Sequence, residues 1–444
     1  VRLRRSSGGL ATGLHGVHQR SGGLWIGWSG AASDVSPAIR GAIEKSMRAA
    51  GAVAISLDEN ELAGFYKRYS NSLLWPVLHG RQARGGEPDW PTYQAVNVRY
   101  ANAVAEHALP GDSVWVHDYH LMLVPGLLRL RRPDLRIGFF LHTPFPEPAV
   151  FASLPDRAAL LEGVLGADVI GFHTADYARR FVATVKECLP HATRDNEVTV
   201  HKRVVEVIAC PMGVDAATFS AHGGAPAVAK EASRLRGAGP CRLLVGVDRL
   251  DPTKGIPRRL LAFERLLSIR PALRGRVRFI QVAVPSREDL PRYRETRTRV
   301  EEIVRRINER FGRPDWTPVE YVYGSVDVQA LVALYRAADV MLVTPLCDGM
   351  NLVAKEFVAS RVDGDGVLVL SDQAGAAVEL RTALLVDPRA LDHLVGAYES
   401  ALAMSVGERR VRMRRLRHAV AANDVFHWAS RFLDILRAPG NELN

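Results

Sequence analysis

The chain has 444 residues, 47% of them hydrophobic and 24% charged, and a formal net charge of +10. That length allows two domains with separate cores, and no uninterrupted apolar run approaches the ~18 residues of a membrane-spanning helix. The positive balance comes from scattered arginine, with seven lysines and no long Lys/Arg block interleaved with aromatics, so neither nucleic acid nor a membrane is expected as a partner.

In chain order, Gly8-Gly9-Leu10 and Gly22-Gly23-Leu24-Trp25 are flexible loops whose backbone can approach a phosphate. Val114–Val116 predicts a strand, followed by a helix near Leu121–Leu130 and then by the strands Ile137–Leu141 and Val169–Phe172. Ala216–Pro240, rich in Ala, Gly and Ser, reads as a linker. The rhythm restarts with strands at Arg242–Val247, Val277–Val282, Val340–Val343 and Val367–Leu370. The chain closes on a Val425–Leu436 helix with Trp428 and Phe432 on one apolar face. This is α/β patterning, with two doubly wound Rossmann-like domains expected to face a cleft and ligands at the carboxyl ends of strands. The expected divisions are residues 1–222, residues 223–424, and a helix over 425–444 that crosses back to the first domain.

The densest chemistry is Asp348-Gly349-Met350-Asn351-Leu352-Val353-Ala354-Lys355-Glu356, which follows the run Val340–Val343. Strand, glycine loop and helix start place backbone N–H groups and a positive helix end where a phosphate can sit, with Asp348 and Glu356 flanking it. Arg249 and Lys254, across a turn set by Pro252 and Gly255, suit a diphosphate leaving group; ion pairs with Asp248 and Asp251 are the alternative reading. His117-Asp118-Tyr119-His120 follows a strand, and Asp118 can accept from a sugar hydroxyl; as a metal motif its HxxH spacing is weak. His142, before Thr143-Pro144-Phe145-Pro146, reads on spacing alone as a core histidine satisfied by backbone. Tyr66, Lys67, Arg68, Tyr69 and Trp75 offer groups for a sugar ring and a phosphate, though aromatics such as Trp75 are more often core. Arg287 is one more cation after a strand. Asp363-Gly364-Asp365 resembles a DxD metal motif but reads better as a glycine turn. Cys188, Cys210, Cys241 and Cys347 are scattered without a CxxC pair, no secretory leader is visible, and a reducing cytoplasm is expected.

Taken together, Ser7-Gly8-Gly9-Leu10, Gly27-Trp28-Ser29-Gly30, Tyr69-Ser70-Asn71 with Leu74-Trp75-Pro76, His117–His120, Leu141–Pro146, Gly171-Phe172-His173-Thr174, Asp248–Asp251, Lys254-Gly255 and Asp348–Glu356 resemble the trehalose-6-phosphate synthases, retaining glycosyltransferases of GT-B fold. The resemblance runs from about Gly8 to the C-terminal helix. It implies transfer of glucose from a nucleoside diphosphate glucose, UDP-glucose foremost, to glucose 6-phosphate. It places Gly8, Gly9, Arg249, Lys254, Val326 and Asp348 through Glu356 at the donor, with Glu356 on the ribose, Asp348 on the glucose and Val326 by the base. Tyr66, Trp75, Arg287 and Asp118 fall at the acceptor, and His142 beside the reacting centre, so Asp118, His142, Arg249, Lys254 and Asp348 make up the catalytic set. No metal and no cofactor are implied, and a homo-oligomer is possible.

One departure is expected to matter. The family opens with a strand ending in Ser-Asn-Arg, whereas this chain opens Val1-Arg2-Leu3-Arg4-Arg5-Ser6. A strand of the first sheet is therefore expected to be missing, weakening folding and acceptor affinity, with Arg4 or Arg5 as partial substitutes. A synthase with another phosphorylated acceptor, such as glycerol 3-phosphate, and a non-catalytic sugar-phosphate binder are the alternatives.

Overall fold

Val340-Met341-Leu342-Val343 contains no polar residue, and all four side chains are buried, as a strand covered on both faces requires. A computed structural model describes residues 9–32, 35–83, 89–237 and 239–438. The chain divides into two units. One comprises Val1–Pro211 with Trp428–Asn444, the other Met212–His427.

The first unit carries β1 (Trp25–Ala32), β2 (Ala52–Leu57), β3 (Ser113–His117), β4 (Arg136–Phe140), β5 (Val169–Phe172), β6 (Ala192–Arg194), β7 (Glu197–Val200) and β8 (Arg203–Ala209). The six-stranded sheet has order β3-β4-β5-β8-β7-β6. Its first four strands are parallel, and the β6–β7 hairpin adds antiparallel to β8. β1 and β2 pair in parallel with each other as a separate sheet. Neither β1 nor β2 is expected from sequence; in β1, Trp, Ser and Gly break the apolar run of Trp25–Ala32.

Leu62–Leu74 forms a thirteen-residue π-helix carrying Tyr66. Such helices are rare beyond a single turn and concentrate at functional sites. Side chains five residues along reinforce this one: Asn71 Nδ2 donates to the Tyr66 carbonyl (2.7 Å) and Ser72 Oγ to the Lys67 carbonyl (2.9 Å).

The C-terminal helix spans Val425–Arg437, and from Trp428 onward it belongs to the first unit. Phe432 stacks on Trp115 with ring centroids 4.4 Å apart. Glycines make the room: a Cβ on Gly138 would lie 2.6 Å from Phe432 Cε1, and one on Gly171 2.5 Å from Phe140 Cδ2.

The second unit carries β9 (Arg242–Arg249), β10 (Val277–Val284), β11 (Val319–Tyr323), β12 (Val340–Val343), β13 (Val367–Ser371) and β14 (Leu384–Val386). Their order is β11-β10-β9-β12-β13-β14, and every pairing is parallel. Counted within the unit this is the Rossmann order, which reverses direction between its first and fourth strands, here β9 and β12. The expected linker Ala216–Pro240 is instead two helices, Ala216–Gly224 and Pro226–Arg236. Small residues there allow close packing: a Cβ on Gly223 would lie 2.4 Å from the Ser360 carbonyl oxygen.

Candidate active site

The switch point between β9 and β12 gathers the residues singled out in the second unit. β9 ends at Arg249, which is exposed, and the Pro252–Lys254 turn follows. Gly255 ends that turn at φ 69° and caps the Ile256–Ile269 helix. β12 runs into the Asp348 loop, and Asn351 caps the Leu352–Ser360 helix from the left-handed region at φ 71°. Its Oδ1 accepts from the Ala354 amide (3.3 Å), while its Nδ2 donates to Asp348 Oδ2 (2.9 Å). Lys254 Nζ donates to that same carboxylate oxygen at 2.5 Å. A cation, a carboxylate and a helix start are thus assembled at one strand crevice. The N–H groups of Leu352 and Val353 open the helix, where no intrahelical partner exists for them.

The alternative pairing of Lys254 with Asp248 or Asp251 is not what forms. Asp248 binds Arg259 in a fully buried pair, and Asp251 accepts from Thr253 and from Tyr293 (2.8 Å). Arg287 also belongs to this unit, at φ 47°, with its guanidinium 3.4 Å from Asp251 and 2.5 Å from the Tyr293 hydroxyl.

Glu356 is buried and accepts from the Tyr335 hydroxyl (2.9 Å). Burial raises its pKa above the ordinary glutamate range, and the tyrosine opposes that shift. Lys355, expected at the donor, is fully buried, and its ammonium donates to the Met212 carbonyl (2.8 Å) and to Glu379 (2.5 Å). The helix is buried from Ala354 to Ser360, so a cation there must be paired internally. Val326 lies in the loop after β11, partly buried against the core.

In the first unit, Asp118, His142 and His173 follow the ends of β3, β4 and β5, neighbours in the sheet. Asp118 sits at φ 71°, and its Oδ1 accepts from the His142 amide at 3.3 Å. His142 is not satisfied by backbone through its ring: its Nε2 meets His117 Nδ1 at 3.0 Å. His120 turns the other way and stacks on Tyr66, with centroids 5.6 Å apart and planes 9° apart, so the HxxH pair does not converge. Trp75 packs on His79 and Tyr119. Gly9 opens the Gly9–Ser21 helix, while Gly8, Arg4 and Arg5 lie outside the described residues.

Among the described residues no group of three or more His, Cys, Asp or Glu is placed to hold a metal ion. In the DxD-like segment Asp363 pairs with Arg336 and Arg361, Asp365 pairs with Arg409, and Gly364 turns at φ 68°.

Sequence reasoning missed Tyr335, His117 as a partner of His142, and Gly375. Gly375 N–H donates to the Asp348 carbonyl (3.3 Å), and a Cβ on it would lie 2.0 Å from the Gly349 carbonyl oxygen. Two adjacent strands each followed by histidine was the available signal for the pair; nothing local marks Tyr335 or Gly375.

Residues 1–438 match the model of Glycosyltransferase family 20. The chain belongs to that family. It is 41% identical over 459 residues to the trehalose-6-phosphate synthase of Mycolicibacterium gilvum, covering 99% of this chain and 90% of that protein. It is 40% identical over 445 residues to the bifunctional trehalose-6-phosphate synthase/phosphatase of Thermoproteus tenax, covering 97% of this chain but 60% of that longer protein. Among solved structures it is similar to a UDP-forming α,α-trehalose-phosphate synthase from Burkholderia xenovorans in complex with glucose-6-phosphate, with TM-score 0.88, 34% identity and 98% and 97% of the two chains covered. The family 20 chain is thus a glycosyltransferase whose two Rossmann-like units are of the GT-B type.

Proposed function

We propose that this chain transfers glucose from UDP-glucose to glucose 6-phosphate with retention of configuration, giving α,α-trehalose 6-phosphate and UDP. The observation that carries the reading is the Lys254–Asp348–Asn351 constellation at the Rossmann switch point, beside a helix start. There the diphosphate meets Arg249, Lys254 and the amides of Leu352 and Val353, and the ribose meets Glu356. Asp348 holds glucose hydroxyls. Tyr66, Trp75 and Arg287 take the acceptor, chiefly its phosphate, and Asp118 a sugar hydroxyl. The acceptor's anomeric oxygen bonds to donor C1 on the face the phosphate leaves, the C1–O bond to phosphate breaks, and the acceptor proton passes to the departing phosphate oxygen. Cations and N–H donors stabilise the charge that develops on the leaving group, so no resident metal is required. No helix among the described residues is long and apolar enough to cross a membrane, and the four cysteines are free thiols, which supports a reducing cytoplasm as the setting.

The test is incubation with UDP-glucose and glucose 6-phosphate, with and without EDTA, followed by NMR of the product. Trehalose 6-phosphate with both anomeric centres α, formed equally in EDTA, is expected. No product with UDP-, GDP- or ADP-glucose overturns the reading.

A further inference from the structure

We infer that His117 is a positioning residue that fixes the ring plane and the tautomer of His142, an inference that rests on placing His142 beside the reacting centre. β3 and β4 are parallel neighbours in which His117 stands opposite Phe140, so the next turn of chain brings His142 over the end of β3. The rings lie 5.3 Å apart, tilted by 28°, with His117 Nδ1 and His142 Nε2 at 3.0 Å. A second tie fixes the backbone: the His142 amide donates to Asp118 Oδ1 (3.3 Å), and the Asp118 amide donates to the Phe140 carbonyl (2.8 Å).

The surroundings hold both rings neutral. Trp428 lies 6.4 Å from His117 and 6.0 Å from His142, Phe140 lies 4.8 Å from His142, and His173 lies 5.5 Å from it. Burial lowers the His117 pKa to about 3, and burial with the neighbouring histidines lowers that of His142 well below its usual value. Two neutral imidazoles in contact share one N–H···N bond, and that bond couples their tautomers. If His142 Nε2 carries the proton, its Nδ1 is a bare acceptor. If His117 Nδ1 carries it, His142 Nε2 accepts and its Nδ1–H is a donor. His117 therefore sets whether His142 offers a donor or an acceptor at Nδ1. A purely structural pair would be replaced by apolar rings at little functional cost, since the walls are already Trp115, Phe140, Trp428 and Phe432.

The test pairs kinetics with ring-nitrogen NMR on His117→Phe and His117→Asn in the full chain. The Phe variant keeps the aromatic packing and removes the bond; the Asn variant returns a polar group near Nδ1. His117→Phe is expected to lower kcat about 10- to 100-fold while KM for glucose 6-phosphate stays within about threefold, with His142 passing from one tautomer to a mixture. His117→Asn is expected to recover most of the lost kcat. Wild-type kcat in His117→Phe, or an unchanged His142 spectrum, overturns the inference. Should the Phe variant not fold, the wild-type spectrum decides: a single His142 tautomer upholds the inference, and an even mixture overturns it. Wild-type protein without turnover counts against the proposed reaction and leaves the spectroscopic result standing on its own.

Discussion

Lys254 holds Asp348 as its counter-ion at 2.5 Å, so in the proposed reaction a donor diphosphate would have to draw the ammonium away from that carboxylate. Arg249 stands exposed at the end of β9, and the proposed site gives it the larger share of the phosphate's charge because Lys254 is shared with Asp348. Arg249→Ala is therefore expected to cost about 10²–10³ in kcat, measured as steady-state turnover; unchanged turnover refutes its role. Tyr335 acts through Glu356, donating to its carboxylate and holding down a pKa that burial raises. In the proposed site the ionised carboxylate accepts from the ribose hydroxyls, so donor affinity is expected above that raised pKa and is expected to be lost as pH falls through it. Tyr335→Phe removes the lowering contribution, so the loss shifts to higher pH. Calorimetric titration of UDP across pH checks this, and affinity lost at the same pH in Tyr335→Phe as in the wild type refutes it. Glu356 was legible in sequence because it shares a local segment with Asp348. Tyr335 was not, since 21 residues separate it from its partner and nothing in a helical Leu-Tyr-Arg signals a polar role.

The loop over 348–351 is held by the turn and the short 3-10 helix Gly375–Val378 that follow β13, with a single bridge between Asp348 and Ala374. The Asp348 amide donates to the Gln373 carbonyl (3.1 Å), and the Ala376 amide donates to the Met350 carbonyl (2.9 Å). Gly375 admits this approach because it has no Cβ, and the obstructing atom would be a backbone oxygen that no rotamer change can move. Gly375→Ala should displace the loop, lower stability by about 1–3 kcal/mol, and raise donor KM more than acceptor KM. Equal shifts in both KM values would refute the assignment of this loop to the donor. Elements of this kind divide into legible and illegible by composition. The unbroken apolar runs of β5 and β12 match their sequence boundaries because both faces are covered. β1 and the helices over Ala216–Gly224 and Pro226–Arg236 do not announce themselves, since Gly, Ala and Ser serve tight packing and flexible loops alike. The Leu62–Leu74 π-helix is illegible for another reason: its wider turn obeys neither the α nor the strand period.

Each unit has its own core, and the chain enters the second after Pro211 and returns to the first at Trp428. The returning helix is thus long-range structure for the first unit: Phe432 is fully buried, seats over Gly138 and Gly171, and stacks on Trp115. Phe432→Ala should cost that unit about 3–5 kcal/mol through lost burial and a cavity. UDP, which the proposed function places on residues of the second unit, would stabilise what binds it by about 2.7 kcal/mol at 100 times its Kd. Calorimetry of Phe432→Ala with UDP is therefore expected to show two transitions, an early one insensitive to UDP and a later one that UDP raises. A single transition, raised as a whole by UDP and lowered as a whole by the substitution, would mean that the two cores unfold as one and that the helix serves both.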